Sequence, residues 1–175
     1  LREVIAIGTP RDGELSYAGL LDEGAAQAAS FEPAEVDYDD PLWFFYTSGT
    51  TGHPKAGVLS HGQMAFVITN HIADLMPGLT HRSRSLVVAP LSHGAGIHAL
   101  VNVARGAASI LPAGDKLDCD DAWRLVQEHK VDNIFTVPTI VKMLTESPAV
   151  DNYDHSSLRY VIYAGAPMYR ADQQH

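Results

Sequence analysis

From Ser60 onward the chain alternates segments of helical spacing with short apolar runs, and this alternation limits the possible folds more than any other feature. Ser60-His61-Gly62-Gln63 reads as a capping box, and Ala65, Ile68, Ile72 and Leu75 then recur at helical spacing until Pro77-Gly78 stops the helix. Residues 86–89 read as a buried strand. Ile97, Leu100, Val101 and Ala104 mark the next helix, closed by Gly106, and residues 108–111 form the next strand. Asp118 can cap a helix that carries Ala122, Leu125, Val126 and His129 on one face. Residues 134–137 are a strand, Pro138 opens a helix through Leu144, and residues 160–164 are the last strand. Strands joined by helices through short loops pair in parallel with right-handed crossovers. The expected fold class is α/β: a doubly wound, mostly parallel sheet with helices on both faces. Ligands of such sheets bind beyond the carboxyl ends of the strands. The polar turns fall there, at His93, at residues 136–139 and at Gly165-Ala166-Pro167.

Before this alternation come an apolar run at 4–7 closed by Gly8 and Pro10, a short helix over 17–23, and an acidic linker over 37–41. Residues 42–45 and 56–59 have strand composition, which predicts a β-hairpin. Its loop is Tyr46-Thr47-Ser48-Gly49-Thr50-Thr51-Gly52-His53-Pro54-Lys55. Two glycines let the backbone approach a ligand and turn its N–H groups inward, four hydroxyls add donors, and Lys55 adds a mobile positive charge. These parts suit a polyphosphate. The spacing is not that of the P-loop, which needs a lysine directly after its second glycine and a helix beyond. On composition alone the stretch is equally a Ser/Thr/Gly-rich surface loop.

Read as a string, the loop resembles the phosphate-loop signature of the adenylate-forming superfamily of acyl-CoA synthetases, peptide-synthetase adenylation domains and beetle luciferases. The family pattern Thr-Ser-Gly-Thr-Thr-Gly-x-Pro-Lys-Gly is matched at every position but the last, where Ala56 stands for glycine. Pro90-Leu91-Ser92-His93 resembles the family's Pro-Leu-x-His turn, and Tyr163-Ala164-Gly165-Ala166-Pro167 resembles the segment that packs on the adenine ring. The three motifs stand in family order, so the resemblance spans the whole chain. It implies that Thr47, Ser48, Gly49, Thr50, Thr51, Gly52 and Lys55 hold the β- and γ-phosphates of ATP, with Thr50 touching Mg²⁺ through them. Gly165, Ala166 and Pro167 would line the adenine. His93 would stand where the acyl carboxylate meets the adenylate, with Ala95, Gly96, Ala99 and Tyr163 around the acid. His93 and Lys55 are the catalytic candidates.

The resemblance further implies an acid–thiol ligase that activates a carboxylic acid, in first expectation a fatty acid, as acyl-AMP and passes it to CoA. A fatty acyl-AMP ligase, an amino-acid adenylation domain and a nucleotide-binding module without chemistry are the rival readings. The family's Tyr-Gly-x-Thr-Glu motif with its Mg²⁺ glutamate, its ribose aspartate and its C-terminal lysine are not found in this sequence. Ala113-Gly114-Asp115 lacks the threonine of the ribose motif and precedes the adenine segment, so it does not substitute. The expected organisation is residues 1–41 as the end of a preceding subdomain with its linker, and 42–175 as the AMP-binding α/β subdomain, incomplete at its C-terminal end. The chain is read as a fragment that is inactive by itself.

A net charge of −9 without any Lys/Arg run argues against a nucleic-acid surface. No apolar stretch approaches the ~20 residues of a membrane span. Cys119 is the single cysteine, which precludes an internal disulfide and suits a reducing compartment, so a cytoplasmic location is expected. The nine histidines lack ligand spacing and read as scattered surface or core residues. Lys142 and Arg105 read as solvated helix residues.

Overall fold

A computed structural model describes residues 3–28, 32–47, 55–114 and 116–173. The chain divides into two compact units, Leu1–Val36 and Asp37–His175. In the first, β1 (Ile5–Ala6) pairs in parallel with β2 (Leu15–Ser16). The Ser16 hydroxyl accepts from the Gly19 amide at 3.2 Å and so caps α1 (Tyr17–Gln27). This helix runs past the expected 17–23 because Ala25 and Ala26, strong helix formers, carry it beyond Gly24. None of the described residues of this unit is buried.

The second unit opens with the antiparallel pair β3 (Pro41–Thr47) and β4 (Lys55–Ser60), in which Thr47 faces Lys55. The loop residues 48–54 lie outside the described residues. The acidic stretch before β3 is more than a linker. The Asp37 amide donates to Asp40 Oδ2 at 2.7 Å, and the carbonyls of Tyr38 and Asp40 accept from Gly62 (2.8 Å) and His61 (3.0 Å). This turn therefore satisfies two of the orphan amides at the start of α2 (His61–Asn70). The Ser60/Gln63 capping box is formed there as well.

α2 continues into a π-helical turn, His71–Leu75. A π turn holds more residues than an α turn, so it rotates everything beyond it. Leu75, expected inside, is half exposed, and Met76 is fully buried in its place; on the first turn of α2, ahead of the π turn, Met64 is buried and Ala65 is not.

The main sheet has strand order β6-β5-β7-β8, with β5 (Arg84–Val87), β6 (Ala108–Ile110), β7 (Asn133–Thr136) and β8 (Tyr160–Tyr163) all parallel. The crossovers are α3 (Gly94–Ala104), α4 (Cys119–His129) and α5 (Pro138–Glu146). Leu86 and Ile134 pack on one face with Trp123, Val126 and Leu144. On the other face Met76, Leu79 and Val101 pack with Tyr160 and Ile162. Helices thus cover both faces, and the sheet is doubly wound as expected. Residues 88–89, expected inside the first strand, instead leave the sheet and form the loop that leads to His93.

One helix face departs from its apolar pattern. α3 buries Ala95, Gly96, His98, Val101 and Asn102, while Ala104 is exposed. Periodicity counted on apolar residues misses this face, because its polar members are buried as hydrogen-bonded partners of one another.

Candidate functional site at the carboxyl edge of the sheet

Beyond β5 the chain turns through Pro90-Leu91-Ser92-His93, closed by the His93 amide donating to the Pro90 carbonyl at 3.2 Å. His93 has extended backbone angles and is the N-cap residue of α3, with no side-chain cap bond, and its side chain is exposed. Gly94 follows; a Cβ there would lie 3.0 Å from Phe135 Cζ, so the bare glycine lets that ring rest against the helix start. The chain after β8 is tied to β7 by the Ala164 amide donating to Thr136 O at 3.1 Å. Gly165 then takes φ 87°, a left-handed conformation natural to glycine.

These turns meet. Pro90, His93, Ala95, Phe135, Val137 and Gly165 stand in the wall of one cavity of about 350 Å³. It lies past the carboxyl ends of three parallel strands, where ligands of such sheets bind. Its wall is mainly apolar, with the His93 imidazole and the backbone around Gly165 as its polar features.

The other candidate residues are placed as follows. Ala95 also borders a second, much smaller space of about 10 Å³, and Ala99 lines that one. Gly96 is packed elsewhere: a Cβ on it would come within 2.1 Å of the Leu91 carbonyl oxygen and 2.5 Å of the Trp43 ring. Tyr163 ends β8, and its hydroxyl accepts from Gln173 Nε2 at 3.3 Å. Ala166 and Pro167 follow Gly165 at the surface. Thr47 and Lys55 are the paired ends of β3 and β4, while Ser48, Gly49, Thr50, Thr51 and Gly52 lie outside the described residues. Arg105 donates from Nε to Leu79 O at 3.0 Å, and Lys142 pairs with Asp172 at 3.0 Å, both on the exterior. Among the described residues no three His, Cys, Asp or Glu side chains gather as a metal site, and no helix is long and apolar enough to cross a membrane.

Phe135 escaped the sequence reading, while Val137 and Ala164 entered it only as members of the turn at 136–139 and of the adenine-segment motif and were not singled out as site residues. The signal for Phe135 was position alone, in a strand of the main sheet, which carries no chemistry of its own.

A match to the AMP-binding enzyme family covers residues 3–174. The chain belongs to this family. Among individual AMP-binding relatives, it is 34% identical to a feruloyl-CoA synthase of Amycolatopsis sp over 94% of its length and 35% of the relative's. It is 32% identical to a long-chain-fatty-acid–CoA ligase of Mycobacterium tuberculosis over 86% of its length and 30% of the relative's. The inhibitor-bound crystal structure of the N-terminal domain of FACL13 from Mycobacterium tuberculosis superposes with a TM-score of 0.74 at 28% identity, covering 97% of this chain and 42% of that one. The chain therefore spans about a third of the length of the curated AMP-binding relatives it matches.

Proposed function

We propose that the chain forms the acid- and nucleotide-binding part of an AMP-forming acyl-CoA ligase. In that reaction a carboxylate oxygen attacks the α-phosphorus of ATP, pyrophosphate leaves, and acyl-AMP remains. The thiol of CoA then attacks the acyl carbon, AMP leaves, and a thioester forms. The observation that carries the reading is the cavity in which the His93 turn and the Gly165 turn share one wall. In it the imidazole of His93 can donate to a carboxylate oxygen or stand as a flat gate. Gly165 and Ala166 offer a backbone without bulk, against which a planar base can lie. The Thr47-to-Lys55 run supplies hydroxyls, amides and one ammonium to the β- and γ-phosphates. Stabilisation of this kind comes from preorganised donors and from positioning, with no covalent intermediate on the protein. Thr50, assigned by resemblance to Mg²⁺, lies outside the described residues.

The acid is one with an apolar acyl group. Relatives are named for feruloyl, indoleacetate, coumarate and long-chain fatty acyl substrates. The apolar wall suits any of these, and a fatty acid is one member of the class.

Calorimetric titration of the chain tests the reading with two ligands, ATP and an acyl-sulfamoyl adenosine, which mimics acyl-AMP but lacks the outer phosphates. His93→Ala is expected to weaken the adenylate mimic. Lys55→Ala is expected to weaken ATP by 10- to 100-fold, about the effect of one charge-assisted contact, and to leave the mimic alone. Failure of the chain to bind either ligand would overturn the proposal.

A further inference from the structure

Behind the cavity, α3 and β7 enclose a chain of buried polar side chains whose donors and acceptors can be assigned one by one. Asn133 Nδ2 donates to Asp132 Oδ1 at 2.7 Å and to Asn102 Oδ1 at 3.2 Å. Asn102 is oriented independently, because its own Nδ2 donates to the His98 carbonyl at 2.9 Å. With its amide nitrogen so committed, Asn133 turns Oδ1 toward His98, 2.8 Å from Nε2. An amide oxygen only accepts, so Nε2 carries the ring proton and Nδ1 is left with a bare lone pair. His98 is 3% exposed, and burial lowers its pKa to about 4, so the ring is neutral at ordinary pH. Its Nδ1 is buried and has no hydrogen-bond partner. A buried acceptor left in that state is a cost that a donor from a ligand would remove.

His98 lines the space of about 10 Å³ with Ser85, Ala95, Ala99, Ser109 and Phe135. That volume holds one oxygen-sized group. Ala95 and Phe135 are also in the wall of the larger cavity, so these two residues partition the two spaces. The Phe135 ring lies 5.5 Å from the His98 ring, and its tip abuts Gly94.

Granting that the cavity takes the acyl group, we infer that His98 is a specificity-determining residue whose Nδ1 accepts a hydrogen bond from a hydroxyl or N–H on that group. The acid selected carries an apolar body and one donor at its far end. The donor reaches the recess past the edge of Phe135. Acids of the same size that end in hydrocarbon leave the buried lone pair unmet and bind less tightly.

The test compares two ligands that dock through the same nucleoside: the sulfamoyl-adenosine conjugates of 3-(4-hydroxyphenyl)propanoic and 3-(4-methylphenyl)propanoic acid. Their affinities for the chain are measured by calorimetry, and the His98 ring nitrogens are followed by long-range proton–nitrogen NMR. The hydroxyl conjugate is expected to bind about tenfold more tightly, the effect of one buried hydrogen bond. It should move the Nδ1 resonance, which the methyl conjugate leaves in place. His98→Phe should abolish the preference and retain binding of the methyl conjugate. Should that variant fail to fold, the two ligands and the resonance in the unsubstituted chain decide alone. Equal affinities would overturn the inference and leave the proposed function standing. An Nδ1 resonance already shifted in the free chain, and unmoved by the hydroxyl ligand, would make a buried water the partner and overturn it too. Binding of neither conjugate would overturn both readings.

Discussion

Gly96 packs where no side chain fits, and this changes what a substitution there tests. The sequence places it at the acyl mouth, where a bulky residue would shorten the acids accepted. Its neighbours are instead a backbone oxygen, at 2.1 Å from a built Cβ, and the Trp43 ring. A backbone oxygen in a closed turn cannot yield as a flexible side chain can. Gly96→Ala is therefore expected to destabilise the fold by about 2 kcal/mol, read as a lower urea midpoint. An unchanged midpoint would mean that the turn relaxes freely. His98 yields a prediction of a different kind. Its pKa is lowered to about 4 in the fold, first by burial, against 6.5 in the open chain. Between those values the unfolded chain holds a proton that the folded one does not, so stability falls as pH drops from 6.5 toward 4. The loss is on the order of 3 kcal/mol for this group. Burial lowers the pKa of His71 as well, so it acts in the same direction. An NMR titration that placed the His98 midpoint above pH 6 would refute this.

At the scale of the element, α4 shows how local signals and the core reinforce each other. Asp118 Oδ1 accepts from the amides of Asp120 (2.9 Å) and Asp121 (3.3 Å), and the helix delivers Trp123, Leu125 and Val126 to the larger core cluster. Trp123 also donates from Nε1 to the Leu144 carbonyl at 3.0 Å, which links α4 to α5. Because α4 cannot fray without opening that core, Asp118→Ala should lower global stability by about 1 kcal/mol. Thermal melts followed at far-UV and tryptophan wavelengths should shift together. A shift in the far-UV signal alone would show the helix start melting separately from the core. α2 is the contrasting case. Its capping box could be read directly from Ser60 and Gln63, but its inward face could not, since nothing local announces the π turn at His71–Leu75.

Across the whole molecule the two units differ in kind. Leu1–Val36 holds a two-residue parallel pair and one helix, and none of its described residues is buried. A segment without a core has too little apolar burial to offset its conformational entropy. A peptide of residues 1–36 should therefore show no cooperative melting transition; a sigmoidal one would show that it stabilises itself. The sequence by itself determined the winding of the main sheet, because helix and strand periods alternate along it, and it determined the family, because a ten-residue string and two later motifs stand in order. It also marked His93 and Gly165 for one site, since both follow strands of the same parallel sheet. Only the tertiary structure decided the strand order β6-β5-β7-β8 and the face that α3 buries. It alone brought Phe135 between the cavity and His98. Those outcomes depend on which distant side chains satisfy one another. Asn133 meets His98 across 35 residues, and no local spacing encodes a hydrogen bond of that span.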